Sequence, residues 1–460
     1  MLSEKQLSLI QKYDRQGPRY TSYPTVPQWR QKITRADYQK ALVSLSDASK
    51  TIALYTHIPF CEEKCYYCAC NVVITRHKEE AEKYLGYLKK ELQLIAPHAP
   101  KGLSVTQIHW GGGTPTYLNC AQMASLFGEY QKYFNIDPSA EISIEIDPRV
   151  TSREQLETLY QLGFNRVSMG VQDFEPEVQK AIHRDQTEHE TRKIHDWCKT
   201  IGFKSVNMDF VYGLPYQNQL GFEKTLKTII GLNPDRIAFY NYAHVPWMVP
   251  WQKRISEEAL PKPEQKFQFL KSALRMFEAA GYLPVGMDHF ARPQDELIAA
   301  LQGRTLRRNF MGYTTQKDAA LLSFGVSAIS DLRSLYVQNF KKLSEYYRAL
   351  DDNQWPLSRG LVLSQNDLLR RHVIMELLCN LELSIPETEK KFKIHFFDYF
   401  KWELSQLEAM VSDGLLEISS EGIKGTPLGR LLSRNIAMIF DDYYQSESGD
   451  PSPKRYSRTV

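Results

Sequence analysis

Short apolar, β-branched runs recur through the first half of the chain. They are TIALYTHI (51–58), VTQIHW (105–110), EISIEID (141–147), RVSMGVQDF (166–174), SVNMDFVYGLP (205–215) and RIAFYNYA (236–243). Helical patterns lie between them. Leu85, Leu88, Leu92 and Ile95 repeat at three- and four-residue steps and make one apolar face. In TSREQLETLYQLGF, Ser152 is an N-cap with Gln155 completing a capping box, and Gly163 supplies the stop. Strand and helix alternate six times, which predicts a parallel sheet with crossover helices. No sequence repeat underlies the alternation, and periodicity alone leaves a doubly wound open sheet in play.

The strand ends favour a barrel. A cysteine-rich loop follows the first strand and GGGTP (111–115) the second. Glu145 and Asp147 close the third, Gln172 and Asp173 the fourth, Asp209 falls in the fifth, and NYAH (241–244) ends the sixth. Chemistry in barrel-like α/β folds gathers at the C-terminal ends of strands. The predicted fold class is therefore α/β, a partial barrel of six strand–helix units. It occupies residues 51–350, behind an N-terminal arm (1–50) and ahead of a mostly helical domain (351–460). In that last domain LSQNDLLRRHVIMELLCNLEL reads as a helix starting near Ser364, and FFDYFKWELSQLEAMVSDG as another stopping at Gly414. A short hairpin and a helix follow, an arrangement that resembles a winged helix. No basic run accompanies it, so a helical domain packed on the core is preferred to a nucleic-acid binder. The tail SESGDPSPKRYSRTV is polar with two prolines and reads as mobile.

Composition changes this picture little. The 460 residues are 42% hydrophobic and 24% charged with net charge +3, ordinary for a globular protein and too mild to argue for nucleic acid. Charges run through the first fourteen residues, unlike a signal peptide, and no apolar run suits a membrane span. Cysteine usage matters more. Of seven cysteines, Cys61, Cys65, Cys68 and Cys70 crowd into HIPFCEEKCYYCACN (57–71), while Cys120, Cys198 and Cys379 are scattered. That is no secreted disulfide framework, and a reducing, cytoplasmic setting is expected. Structural zinc sites commonly join two separated C-x2-C knuckles. An iron–sulfur cluster is larger than one ion, so closely spaced cysteines on one loop reach different irons, and three of them leave one iron of four open. The spacing favours iron–sulfur over zinc and over unmetallated thiols.

The C-x3-C-x2-C triad, with aromatic Tyr67 before its last cysteine, resembles the signature of the radical S-adenosylmethionine superfamily. RYTSYPT (19–25), YTHIPFCEEKCYYCACN (55–71), IHWGGGTPTYL (108–118), ISIEIDPR (142–149), GFNRVSMGVQDF (163–174), MDFVYGLP (208–215), GMDHFARP (286–293) and NFMGYTTQ (309–316) resemble the oxygen-independent coproporphyrinogen III oxidase family. The resemblance spans nearly the whole chain. It implies that Cys61, Cys65 and Cys68 ligate one 4Fe–4S cluster whose fourth iron chelates S-adenosylmethionine, and that Cys70 is no ligand. It also implies that Tyr55, Tyr67, Gly112, Gly113, Thr114, Glu145, Gln172, Arg184, Asp209, Ala243 and Ile329 divide between two S-adenosylmethionine molecules. Tyr67 stands where phenylalanine is expected.

The implied chemistry is a one-electron cleavage giving a 5′-deoxyadenosyl radical, which takes hydrogen from the β-carbon of a substrate propionate. Loss of carbon dioxide and an electron leaves a vinyl group, twice over, turning coproporphyrinogen III into protoporphyrinogen IX. Implied partners are the porphyrinogen, a flavodoxin- or ferredoxin-like electron donor and an electron acceptor, in a monomer without nucleic acid or membrane. A haem chaperone of the same superfamily and a zinc-stabilised nucleic-acid module are the alternatives.

Taken without the resemblance, several positions have plainer roles. The glycine triplet is a turn, Glu145 and Asp209 strand-end ion-pair partners, Gln172 a cap, Arg184 a surface pair, and Tyr55 a core residue. His244 and His289 are candidate proton donors, or satisfied buried histidines. Arg15 and Arg19, among the tyrosines of RQGPRYTSYP, belong either to an arm that closes a pocket over propionates or to a packed strap. No nucleophile–base motif stands out, and no catalytic residue is assigned.

Overall fold

The computed structural model describes residues 4–48, 50–316, 319–447, 456 and 458–459. All six predicted strands form, as Thr51–Ile58, Ser104–Gly112, Asn135–Ile146, Arg166–Gln172, Ser205–Tyr212 and Arg236–Asn241. Each pairs in parallel with the next, in chain order. Leu54, Ile108, Ile144, Met169, Met208 and Ile237 are at most 1% exposed, against a helical layer that includes Leu85, Leu88, Leu92 and Ile95. The Glu79–Ile95 helix buries the predicted face, and the Arg153–Gln161 helix begins and ends where predicted. Ser152 accepts from the Gln155 N–H in a capping box, and Gly163 (φ 98°) turns the chain in the left-handed region.

The sheet is wider than six strands. Ala320–Phe324 adds in parallel beside the first strand, followed by antiparallel Ile329–Asp331, Leu335–Asn339 and Leu357–Val362. His289–Ala291 and Leu283–Val285 extend the other side, also antiparallel. The barrel is thus partial, its parallel arc flanked by antiparallel wings. The arm protects one of these edges, since Gln31 and Gly360 exchange backbone hydrogen bonds.

The helical domain expected from residue 351 begins later, because Leu357–Val362 still pairs in the main sheet, and its first helix is Gln365–Cys379, capped by Ser364 as predicted. The second predicted helix is two, Phe396–Tyr399 and Lys401–Ser412, because Phe400 leaves helical geometry to bury its ring against Phe396 and Phe440. The hairpin Leu416–Ile418 and Gly422–Gly425 gains a third strand, Glu382–Ser384. Ile10, Tyr20 and Tyr23 of the arm are buried in this domain's apolar core. Part of the tail expected to be mobile lies outside the described residues. Its described end is docked: Arg458 pairs with Asp14 at 2.6 Å, and the Thr459 N–H donates to the Arg15 carbonyl at 2.8 Å. Among the described residues, no helix is long and apolar enough to cross a membrane.

Candidate active site

The cysteine loop leaves the first strand and is fastened to the glycine loop that leaves the second. Gly113 N–H donates to the Ile58 carbonyl and Thr114 N–H to that of Phe60, each at 2.8 Å. Such close approach excludes side chains. A Cβ on Gly113 would lie 2.6 Å from the Pro59 carbonyl oxygen, and one on Gly112 would lie 2.6 Å from the His57 ring. Gly112 also has φ 118°. Beneath them the Glu145 carboxylate accepts from Gly112 N–H at 2.9 Å.

These loops open on a cavity of ≈ 660 Å³ at the C-terminal ends of the parallel strands. Cys61, Cys65, Cys68, Tyr67, Gly112, Gly113, Thr114, Glu145, Gln172, Arg184, Asp209 and Ala243 line it, and so does Cys70. Two positions fall outside that lining. Tyr55 stacks on His109 and shares a 3.0 Å hydrogen bond with His57 Nδ1. Ile329 packs against the buried cluster of Trp29, Tyr336, Leu361 and Leu363. Of the arm residues, Arg19 reaches the cavity and donates to the Asn241 carbonyl at 2.5 Å. The arm is thus strap and pocket wall together.

Arg184 is turned inward by His183, whose left-handed backbone (φ 55°) ends the preceding helix. Its guanidinium donates to Gln186 Oε1 (2.9 Å), Gly170 O (2.8 Å), Asp147 Oδ2 (3.1 Å) and Cys65 Sγ (3.6 Å). Four of its five N–H groups are spent on protein, so it is neither a surface pair nor a free fork for a ligand carboxylate. Burial pushes the Asp147 carboxyl up, but Arg184 and Arg149 outweigh it and hold Asp147 down at about 2. Arg149, whose Nη2 lies 3.9 Å from Cys65 Sγ, adds a second cation beside that thiol.

Burial lifts the Cys61 thiol to about 12, partly offset by the Thr114 hydroxyl 3.4 Å away. Cys68 is held below the ordinary thiol range, first by its neighbour Cys70 and also by the charges of Lys64 and Arg184. Among the described residues, no three His, Cys, Asp or Glu side chains converge tightly enough for a single metal ion. The three thiols line one cavity, with two guanidiniums beside Cys65 to offset thiolate charge, a soft donor set that suits an iron–sulfur cluster. The residues present fit the group.

Asp209 rises to about 6, first through burial and then through the charge of Glu145. Its folded pKa exceeds the unfolded value near 4, so the folded state holds the proton more tightly and stability falls as pH rises between about 4 and 6. Asp209→Asn is expected to remove this slope and to stabilise cluster-free protein above pH 6 by about 1–3 kcal/mol. Thermal midpoints at pH 5 and 7.5 check it. A midpoint difference between variant and wild type that is the same at both values would contradict the assignment.

The histidines sit apart from the cavity lining. His289 bonds Asp288 at 2.7 Å beside Tyr240 and Tyr313, and His244 bonds the Tyr242 hydroxyl at 3.0 Å. Sequence reasoning missed Gln252, whose buried amide donates to the carbonyls of Tyr67 and Ala243 at 3.1 Å each, tying the cysteine loop to the segment just beyond the sixth strand. A glutamine on a short 3-10 turn carries no local signal. Arg149, two residues beyond Asp147 in ISIEIDPR, was within reach of a closer reading.

Comparison with known proteins agrees with this geometry. Residues 55–229 match the model of the radical SAM superfamily and residues 363–432 that of the HemN C-terminal domain. The oxygen-independent coproporphyrinogen III oxidase of Synechocystis sp. is 45% identical over 98% of this chain and 97% of its own length. That of Escherichia coli is 44% identical over 99% and 98%. The solved structure of coproporphyrinogen III oxidase from Escherichia coli, described as a radical SAM enzyme, superposes with a TM-score of 0.91 at 43% identity, covering 95% of this chain and 98% of that one.

Proposed function

The chain belongs to the oxygen-independent coproporphyrinogen III oxidase family, and from that premise we propose that it converts two propionates of coproporphyrinogen III to vinyl groups, giving protoporphyrinogen IX in haem biosynthesis. The observation that carries the reading is the single cavity into which the cysteine triad, the glycine loop and the strand-end carboxylates all open, in a chain matched end to end by these oxidases. When bound, the 4Fe–4S cluster and S-adenosylmethionine supply one-electron chemistry that abstracts hydrogen without oxygen.

The protein's part is placement. Cys61, Cys65 and Cys68 hold the cluster, with Arg184 and Arg149 beside Cys65. Gly112, Gly113 and Thr114 present backbone to S-adenosylmethionine, and Glu145 and Asp209 accept from its polar hydrogens. Tyr67, Gln172 and Ala243 complete the cavity wall. Tyr55 and Ile329, which lie behind that wall, fit a supporting role, and two S-adenosylmethionine molecules remain part of the proposal. Arg19 places a cation at the wall for a propionate. A cavity set among the strand ends suits a reactive centre that must be kept from water. We further place the enzyme in the cytoplasm as a monomer, served by a separate electron donor and acceptor, and its seven free cysteines accord with a reducing setting.

The test is an anaerobic assay of reconstituted protein with S-adenosylmethionine, reductant and coproporphyrinogen III, read by mass spectrometry. Two successive losses of carbon dioxide plus two hydrogens are expected, with 5′-deoxyadenosine and methionine formed alongside. Formation of 5′-deoxyadenosine with untouched porphyrinogen would overturn the substrate. Tight stoichiometric haem binding without turnover would favour a chaperone.

A further inference from the structure

The cysteine loop has two outer flanks, and they differ in chemistry. On one, Glu62 and Glu63 are committed to Lys78 and Arg76 at 2.8 Å each. On the other, Tyr66, between Cys65 and Cys68, stacks on His183 with centroids 4.9 Å apart. Arg254 covers this tyrosine, its Nη1 bonded to the Tyr66 hydroxyl at 3.1 Å and its guanidinium 5.0 Å from the Trp251 ring. Around it the turns 245–254 expose Trp247 (48%), Met248 (60%) and Trp251 (42%). Lys253 lies exposed between Trp251 and Arg254, and among the described residues neither Lys253 nor Arg254 makes an ion pair. Of the acids that follow, Glu257 faces His244 and Glu258 bonds Ser256.

Exposed apolar side chains of this size, grouped with unpaired cations, mark protein contact surfaces, where Trp, Met and Arg are enriched. The proposed activity needs one electron from outside for each cleavage, and its cavity side is taken by ligand and substrate. We propose that the Trp247–Met248–Trp251–Lys253–Arg254 face is the docking surface for a small acidic electron carrier of the flavodoxin class, which delivers its electron to the cysteine loop through Arg254 and Tyr66. The inference rests on the functional reading above. In the transfer the carrier's anionic flavin hydroquinone loses one electron to become the neutral semiquinone, the cluster gains that electron, and no proton or group moves. The flank of Glu62 and Glu63, paired with Lys78 and Arg76, offers an acidic partner no free cation. Lys253 and Arg254, beside the exposed aromatic rings, attract it and steer its approach, an effect that salt weakens.

The test uses reconstituted full-length protein, a purified acidic flavodoxin with its reductase, and the variants Trp251→Ala/Lys253→Glu and Trp247→Ala/Lys253→Glu. The second leaves the Arg254–Tyr66–Trp251 stack intact. Calorimetric titration of oxidised flavodoxin should show salt-sensitive binding that both variants weaken. The KM for flavodoxin in 5′-deoxyadenosine formation should rise about tenfold or more, while dithionite-driven formation and iron content stay as in the wild type. Unchanged binding in both variants overturns the proposal. So does a raised KM for coproporphyrinogen III with an unchanged one for flavodoxin, which would assign the patch to the substrate's entrance. Dithionite-driven 5′-deoxyadenosine without porphyrinogen conversion would instead sink the substrate reading and leave the docking measurement standing.

Discussion

Cys65→Ser is expected to abolish turnover completely and to strip the protein of bound iron and acid-labile sulfide. Cys65 is the most enclosed of the triad, 8% exposed, with Arg184 Nη1 at 3.6 Å and Arg149 Nη2 at 3.9 Å from its sulfur. A thiolate there gains two cations and is a soft ligand for iron. A serine hydroxyl stays protonated at neutral pH and is a hard, poor substitute. The fold should survive, because serine is close to isosteric and the loop is fastened by backbone hydrogen bonds from Gly113, Thr114 and Val73 rather than by the sulfur. Circular dichroism should therefore match the wild type while iron and 5′-deoxyadenosine are both absent. Cys70→Ser, outside the triad, is the control and should retain iron. A Cys65→Ser protein that kept iron and turnover would remove Cys65 from the ligand set.

Much of this site was legible because its signals are local. A strand is an apolar run, a strand end is where it stops, and cysteines four and three residues apart or glycines in a triplet need no knowledge of the rest of the chain. Gly112 shows why: the conformation and the crowding that demand glycine are set within the loop and the adjoining strand. What escaped was set by distant contacts. Nothing around Gln252 announces that its amide bridges residue 67 to residue 243. Ile10, Tyr20 and Tyr23 look like an irregular strap until the C-terminal domain closes over them. The Ala320–Phe324 strand reads as one more apolar run, and only pairing with Thr51–Ile58 makes it part of the barrel. The break at Phe400 follows from where its ring is buried, which helical periodicity does not record.

Arg184→Ala is expected to lower stability by about 3–5 kcal/mol, the usual cost of breaking a buried ion pair from one side. The side chain is 7% exposed, and its loss leaves the Gly170 carbonyl and the Gln186 side chain without their donor and Asp147 with Arg149 alone. The pH dependence identifies the cause. In the wild type the folded pKa of Asp147, about 2, lies below the unfolded value, so its contribution is present above about pH 4 and is lost as pH falls through about 2. Without Arg184 the burial of Asp147 is opposed by one cation instead of two. Its pKa moves up, and acid unfolding of the variant should begin at a higher pH. Thermal midpoints of cluster-free protein between pH 7 and 3 measure this, and an acid limb identical to the wild type would show that Arg184 does not hold Asp147 charged. Arg184→Lys should recover part of the loss, since an ammonium can pair with Asp147, but one compact cation cannot also span Gly170, Gln186 and Cys65 as the planar fork does. Activity should fall further than stability alone explains, because the same fork sets the position of the loop that carries Cys65.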